Sequence, residues 1–204
     1  MSQVANPAVG VWTAIAWDGS KSLLSADLHF NRLVRHSKIL GIDMPNKFHT
    51  EVFNQLKSLQ KPKIIKNSKD RSPFLVKVTI DSAGNISLSA RSNNAYPERP
   101  LFAISMIAPD TPIPILGTKN AEWGHYINAM DQATKYGADI SLLFKNDFLI
   151  DGDRCTPVIL DNDGVAYYPK NSDGALDSIT LELIKGEIEN SGIPIREAKI
   201  SLGM

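Results

Sequence analysis

The chain has 204 residues, of which 43% are hydrophobic and 22% charged, a composition typical of soluble globular proteins. Its 22 acidic and 22 basic side chains cancel, so no global field favours nucleic acid or an anionic membrane surface. The single cysteine, Cys155, excludes an internal disulfide and is typical of a reducing compartment. No apolar run approaches the roughly 20 residues that span a bilayer, and the first residues lack a secretory pattern. We therefore expect a cytoplasmic protein with one large or two small domains.

The first half of the chain predicts a small lobe of strands and helices. Residues 9–16 indicate a strand, because they are rich in β-branched and aromatic side chains. A helix follows, with Ser25 as its predicted amino-terminal cap, Val34 on its buried stripe and Gly41 at its end. The other elements predicted here are a helix over 48–59, a hairpin of strands 73–80 and 86–90, and a buried strand from Leu101 to Ala108.

Three prolines within residues 109–114 predict a domain boundary, between a lobe of residues 1–110 and a larger lobe of residues 115–204. Strands alternating with a few helices predict an α+β fold of two lobes. The elements predicted in the second lobe are a helix over about 121–136, strands at 141–144, 148–150, 158–160 and 165–168, and a last helix over about 175–190 that buries Leu183 and Ile184.

Two segments carry a resemblance to a known family. Residues 27–42 read D-L-H-F-N-R-L-V-R-H-S-K-I-L-G-I, which resembles a pattern of an acidic residue, H-x-x-R-L, a Ser-bearing helix and L-G-I. Farther along, Lys119 precedes Trp123, Ala133 and G-A-D at 137–139, which is similar to the spacing after that family's catalytic lysine. The chain resembles the class IV pyridoxal-phosphate enzymes, the family of branched-chain and D-amino-acid aminotransferases and aminodeoxychorismate lyase.

The resemblance implies a two-lobed D-amino-acid-aminotransferase-like fold, a homodimer, a small-molecule amino substrate and pyridoxal 5′-phosphate as cofactor. Within the family pattern, Lys119 is the residue that holds the cofactor's aldehyde as a Schiff base and moves protons. Arg32 stands where the family binds the cofactor's phosphate, because a guanidinium can donate to two oxygens at once. His29, Arg32 and His36 share a helix face, which predicts either a polar patch facing inward or a solvated positive face.

The resemblance also implies cofactor-binding roles for residues of the second lobe. Asp151 stands where most members carry a glutamate that keeps the pyridine nitrogen protonated. Gly174 and Ala175 stand in the segment 172–177, which we match to the family's glycine-rich phosphate turn at the start of the last helix.

Departures from the family pattern leave more than one function open. Asp151 is one methylene shorter than glutamate, and the segment 172–177 carries Asp173 and Asp177 but lacks the family's Thr and Arg. We also expect a fold shortened at the carboxyl-terminal end. Losing two charge-assisted hydrogen bonds would weaken cofactor binding by about two to four powers of ten. The expected function is therefore an aminotransferase or lyase-like enzyme, or a catalytically impaired relative that acts through protein partners.

Three other motifs predict structural roles. The lysine-rich stretch 57–71 has no interleaved aromatic residues and is typical of a surface loop more than of a nucleic-acid site. Residues 161–164 form a fragment of a calcium-loop motif that also suits a hairpin turn. Cys155 has no adjacent base in the sequence, so a nucleophilic role is disfavoured. No metal site is expected.

Overall fold

The computed structural model describes residues 10–69 and 71–204, and the described chain divides into two compact units. Unit 1 takes in the described residues up to Glu98 together with Thr118–Glu122, and unit 2 takes in Arg99–Gly117 and Trp123–Met204. The proline-rich segment 109–114 lies inside unit 2. The predicted start of the first strand at residue 9 lies outside the described residues.

Unit 1 is an antiparallel sheet in the order β1-β2-β3 with helices packed on it. Every second residue of its first two strands is buried, because successive side chains of a strand face opposite sides. The first helix packs against the first strand and the second helix against the third strand. These elements, each within two residues of its predicted bounds, are β1 (Gly10–Trp17), α1 (Ala26–Leu40), α2 (Phe48–Ser58), β2 (Phe74–Asp81) and β3 (Ile86–Ser92).

Helix α1 buries a wider face than its apolar stripe predicts. Arg32 and His36 are buried beside the apolar residues, whereas Val34, predicted to face inward, is exposed. Gly41 ends the helix in the left-handed conformation at φ 67°, as predicted. Ser25 precedes the helix, but its side chain makes no capping hydrogen bond to the described residues, because its own backbone is left-handed at φ 51°.

Unit 2 contains a mixed sheet in the order β10-β6-β5-β4, in which β4 is parallel to β5. The predicted strand at 101–108 is present but not buried, since β4 lies at the end of the sheet and Ile107 is 89% exposed. The elements of this sheet and its helix are β4 (Ala103–Ile107), α3 (Gly124–Lys135), β5 (Ile140–Lys145), β6 (Phe148–Gly152) and β10 (Ile200–Ser201).

A second sheet of unit 2 has the order β7-β8-β9 and packs against the last helix. The helix begins at Ile179, later than the predicted 175, because Ser178 caps it: the Ser178 Oγ accepts from the Leu181 N–H at 3.2 Å. Leu181 is buried, whereas Leu183 and Ile184 are exposed, contrary to prediction. The elements are β7 (Ile159–Leu160), β8 (Ala166–Pro169), α4 (Ile179–Asn190) and β9 (Ile195–Ala198).

Among the described residues, no helix combines the length and the apolar character needed to cross a membrane.

Candidate functional site

Lys119 lies in the segment 118–122, which adds to the sheet of unit 1 along the edge of β1 opposite β2. The Lys119 carbonyl accepts from the Trp12 N–H at 3.0 Å, and the Ala121 N–H donates to the Gly10 carbonyl at 2.8 Å. Val11 and Asn120 form an antiparallel bridge between these contacts. The main chain on either side of Asn120 is therefore hydrogen-bonded to the edge of β1 and does not form a solvated loop.

Trp12 contacts the Lys119 segment with its side chain as well. The indole N–H donates to the Asn120 carbonyl at 3.0 Å. The Lys119 Nζ lies 4.0 Å from the centre of the Trp12 ring, and the Lys77 Nζ lies 4.9 Å from it. An ammonium group at this distance from an indole is attracted by about 0.5–2 kcal/mol. Trp12 thus fixes both the backbone and the amine of this segment.

His36 holds the other side of the Lys119 peptide. The Lys119 N–H donates to the His36 Nδ1 at 3.0 Å, and His36 is only 4% exposed. Because Nδ1 accepts this bond, the ring proton resides on Nε2. The N–H and the C=O of Lys119 are therefore both bound to groups of unit 1.

Arg32 and His29 converge on one buried hydroxyl. The Arg32 Nη2 donates to the Thr13 Oγ1 at 2.7 Å, and the same oxygen lies 2.7 Å from the His29 Nδ1. Thr13 is fully buried and Arg32 is 7% exposed. Burial, together with the positive charges of Arg32 and Lys119, lowers the pKa of His29 to about 4. The predicted inward-facing polar patch of α1 is therefore present.

Asp151 lies in unit 2 at the end of β6 and is 2% exposed. Its Oδ2 accepts from the Tyr126 hydroxyl at 3.1 Å and from the Leu176 N–H at 3.3 Å. Its Oδ1 accepts from the Gly152 N–H at 2.9 Å. Burial and the charge of Asp151 raise the pKa of Tyr126 above its usual value. These donors stabilise a carboxylate and tie β6 to α3 and to the 174–176 turn.

Gly174 and Ala175 lie in a turn that ends before α4 begins. The Gly174 N–H donates to the Asn171 carbonyl at 3.0 Å, and the Ala175 N–H donates to the Lys170 carbonyl at 3.3 Å. A Cβ at Gly174, which has φ 120°, would lie 3.0 Å from Ile150. Tight packing inside unit 2 therefore accounts for the glycine, and both amides have main-chain acceptors.

The site residues predicted from the sequence thus fall into separate groups. Lys119 and Arg32 both contact β1 of unit 1, and Asp151 contacts the turn that contains Gly174 and Ala175 in unit 2. Residues that the sequence reasoning missed, although they hold the predicted site residues, are Trp12, Thr13 and Tyr126. A threonine at a buried position of an alternating strand is the signal that could have indicated Thr13.

The alternative motifs have structural partners. The Asp161 Oδ1 accepts from the Asp163 and Val165 N–H groups at 3.0 and 2.8 Å, which is the geometry of a turn. Burial raises the pKa of Cys155 to about 11, with the charges of Asp153 and Asp151 as further causes. Within residues 10–69 and 71–204, no group of three or more His, Cys, Asp or Glu side chains is arranged to hold a metal ion.

The sequence matches a family model described as amino-transferase class IV over residues 10–203. The chain belongs to the class IV aminotransferase family. No curated protein matches its sequence at a significant level. The resemblance inferred from the H-x-x-R-L and Lys119 segments is thereby confirmed.

Solved structures of class IV proteins share the fold at low sequence identity. A candidate 4-amino-4-deoxychorismate lyase has a TM-score of 0.77 and 22% identity, covering 97% of this chain and 77% of that chain. The branched-chain aminotransferase of Thermoproteus uzoniensis has a TM-score of 0.72 and 19% identity, with coverages of 95% and 69%. A hypothetical aminotransferase of Mycobacterium tuberculosis, in a pyridoxal-phosphate-bound form, has a TM-score of 0.71 and 12% identity, with coverages of 100% and 78%. The predicted α+β fold is confirmed.

Class IV enzymes use pyridoxal phosphate, and the residues of unit 1 fit this cofactor. A buried guanidinium beside an uncharged histidine is a donor set suited to a phosphate group. Lys119 offers a primary amine on a backbone fixed by Trp12 and His36. Asp151 offers a buried carboxylate, although its oxygens already accept from protein donors.

Proposed function

We propose that this class IV protein is a pyridoxal-phosphate-dependent aminotransferase or an aminodeoxychorismate-lyase-like enzyme in which Lys119 binds the cofactor covalently. The observation that carries the proposal is the placement of Lys119 along the edge of β1, with its N–H bound to His36 and its C=O bound to Trp12. A lysine on the surface does not require hydrogen bonds to both its N–H and its C=O, whereas an amine that forms and breaks a covalent bond must be held in position.

The cofactor supplies an electron-withdrawing ring that stabilises negative charge at the substrate carbon. The chain's own residues then have distinct tasks. Arg32 would donate to the phosphate of the cofactor, and Asp151 would accept from its pyridine nitrogen. Lys119 would carry a proton on Nζ to and from the substrate carbon. The amides of Gly174 and Ala175 donate within their turn, so their proposed part in phosphate binding requires that this turn open.

The aromatic ring under Lys119 bears on this chemistry. Contact with the Trp12 ring at 4.0 Å favours the protonated amine, whereas a nucleophile must be neutral. Lys119 would therefore have to lose a proton before its amine could bind the cofactor's aldehyde.

The test is a visible absorption spectrum after pyridoxal phosphate is added, followed by borohydride reduction and peptide mapping. We expect a new absorption band and a reduced adduct on Lys119, both absent from Lys119→Ala. Lys77→Ala is the matched control, since Lys77 lies over the same Trp12 ring, and its adduct on Lys119 should persist. An adduct on Lys77, or adducts scattered over surface lysines, would contradict the proposal.

A non-enzymatic relative that acts through protein partners is the second candidate. It is favoured by Asp151, whose oxygens accept from Tyr126, Gly152 and Leu176, because a carboxylate so engaged has a structural use. Absence of an adduct on Lys119, with the chain folded by circular dichroism, would favour this candidate over the enzyme.

We further propose that the chain assembles as a homodimer, as the family resemblance implies. The exposed apolar side chains of Phe102, Ile107 and Tyr136 around β4 and α3 support a covered surface on unit 2. Sedimentation velocity should show a dimer for the wild-type chain, and a shift towards monomer for Ile107→Lys. A monomeric wild-type chain at high protein concentration would contradict this proposal.

A further inference from the structure

The Thr13 hydroxyl has one proton and two neighbours. It lies 2.7 Å from the Arg32 Nη2 and 2.7 Å from the His29 Nδ1. A guanidinium can only donate, so Thr13 must accept from Arg32. The oxygen has a second lone pair, but if His29 donated to it as well, the buried hydroxyl proton would have no acceptor among the hydrogen-bond partners of Thr13 in the described chain. The arrangement that satisfies every group directs the hydroxyl proton at the His29 Nδ1.

This chain of hydrogen bonds sets the tautomer of His29. With Nδ1 bare, the ring proton lies on Nε2, the nitrogen that does not contact Thr13. A doubly protonated ring would donate to Thr13 as well, and would leave the buried hydroxyl proton without an acceptor among the described residues. The low pKa of His29 agrees with a neutral ring at physiological pH.

His29 and Arg32 are three residues apart on α1, so their side chains lie on one face of the helix. Both converge on Thr13 on β1. Arg32 is buried and His29 is half-buried. The side chains of His29 and Arg32 therefore meet at the Thr13 hydroxyl.

We propose that His29 is a second, uncharged donor to the phosphate group that Arg32 binds, and that Thr13 is the positioning residue that fixes its tautomer. The ligand class is a phosphate monoester or inorganic phosphate, whose oxygens can accept from a guanidinium and an imidazole N–H together. A neutral second donor adds a hydrogen bond without placing a further positive charge beside Arg32 and Lys119. This inference rests on the proposed function, because that proposal assigns the phosphate group to Arg32.

The first measurement needs no variant. Nitrogen-15 spectra of histidine-labelled wild-type protein report directly which ring nitrogen of His29 bears the proton, and inorganic phosphate is then titrated in. We expect a bare Nδ1, a protonated Nε2 and a shift of the Nε2 resonance as phosphate binds. A proton on Nδ1 at neutral pH, or an Nε2 resonance that phosphate leaves unmoved, would overturn the proposal.

Variants give the second readout. His29→Phe should weaken phosphate binding roughly tenfold or more, the effect of losing a hydrogen bond to a charged group. Thr13→Val should allow the His29 ring proton to lie on either nitrogen and should weaken phosphate binding. Thr13→Ser keeps the hydroxyl, so the Nε2-protonated ring and the phosphate affinity should both match the wild-type chain. His49→Phe, at an exposed histidine on α2, is the matched control. If Thr13→Val does not fold, the Thr13→Ser variant and the wild-type spectra still test whether the hydroxyl fixes the tautomer of His29.

The two proposals fail in different ways. Absence of an adduct on Lys119, with the His29 resonance still shifted by phosphate, would reject the enzyme and keep the phosphate site. An adduct on Lys119, with unchanged phosphate affinity in His29→Phe, would keep the enzyme and reject the role of His29. A wild-type chain that does not bind phosphate at all overturns the role of His29 as well.

Discussion

A single tryptophan organises the surroundings of Lys119. Trp12 donates from its backbone to Lys119, donates from its indole to Asn120, and places its ring under the Lys119 amine. Phenylalanine would keep a ring and the backbone bond but lose the indole donor. At the residue scale, Trp12 therefore acts on the geometry of the amine through hydrogen bonding as well as through packing.

Trp12→Phe is expected to slow adduct formation at Lys119 and to lower the free energy of unfolding by about 1 kcal/mol. Urea unfolding and the time course of borohydride-trapped adduct measure the two effects. Trp17→Phe is the control, because the Trp17 indole also donates to a main-chain carbonyl, that of Ser20 at 2.7 Å. Equal slowing in both variants would contradict a specific role for Trp12.

The lowered pKa of His29 makes the stability of the chain depend on pH. The unfolded ring binds a proton near pH 6.5 and the folded ring only near pH 4, so the unfolded state binds more protons between these values. Stability should therefore be complete above about pH 6.5 and fall on acidification, by at most roughly 1.4 kcal/mol per pH unit. Urea unfolding at several pH values measures the slope. His29→Asn should flatten it, and an unchanged slope in that variant would contradict the prediction.

Asp151 stabilises the fold of unit 2 through its hydrogen bonds, independently of any catalytic role. Asparagine in its place keeps the shape, but its amide group cannot accept from every N–H donor that the carboxylate accepts from. Asp151→Asn should therefore lower the free energy of unfolding by about 1–3 kcal/mol. Denaturant unfolding measures this, with Tyr126→Phe as the control that removes only one donor. An unchanged midpoint would leave Asp151 free for a purely catalytic role.

At the element scale, local pattern predicted most helices and strands but not the contacts that define the site. The sequence predicted that His29, Arg32 and His36 share one face of α1, because helical periodicity is a local property. Thr13, the partner of His29 and Arg32, lies 19 residues before Arg32 on another element, and no local rule indicates that pairing. The predicted start of α4 at residue 175 was wrong because the Ser178 cap, which begins the helix at Ile179, was not identified in the sequence.

Two glycines on helices provide a matched pair for testing element stability. Gly41 ends α1 at φ 67°, whereas Gly186 lies inside α4, and an added Cβ would meet nothing within 4 Å at either position. Gly41→Ala should destabilise the chain by about 1 kcal/mol, because an L side chain disfavours the left-handed conformation. Gly186→Ala should stabilise it by roughly 0.5–1 kcal/mol. Thermal unfolding distinguishes the two, and equal signs would contradict the assignments.

At the scale of the whole molecule, the path of the chain separates the amine from its neighbours in sequence. Thr118–Glu122 belongs to unit 1, although the residues before and after it belong to unit 2. Unit 1 is therefore incomplete when only the residues up to Glu98 are present. The edge of β1 that Lys119 and Asn120 cover would then present unpaired N–H and C=O groups.

A fragment of residues 1–98 is accordingly expected to be less stable than the same fragment with residues 118–122 joined through a short Gly/Ser linker. The linked segment restores the hydrogen bonds from Trp12 to Lys119, from Ala121 to Gly10 and from Lys119 to His36. At about 1 kcal/mol each, they should raise the midpoint of thermal unfolding by roughly 10 °C or more. A linked segment with Asn120→Pro is the control, because proline lacks the N–H and disfavours sheet pairing. Equal midpoints for the bare and linked fragments would contradict the prediction and show that residues 118–122 do not stabilise unit 1.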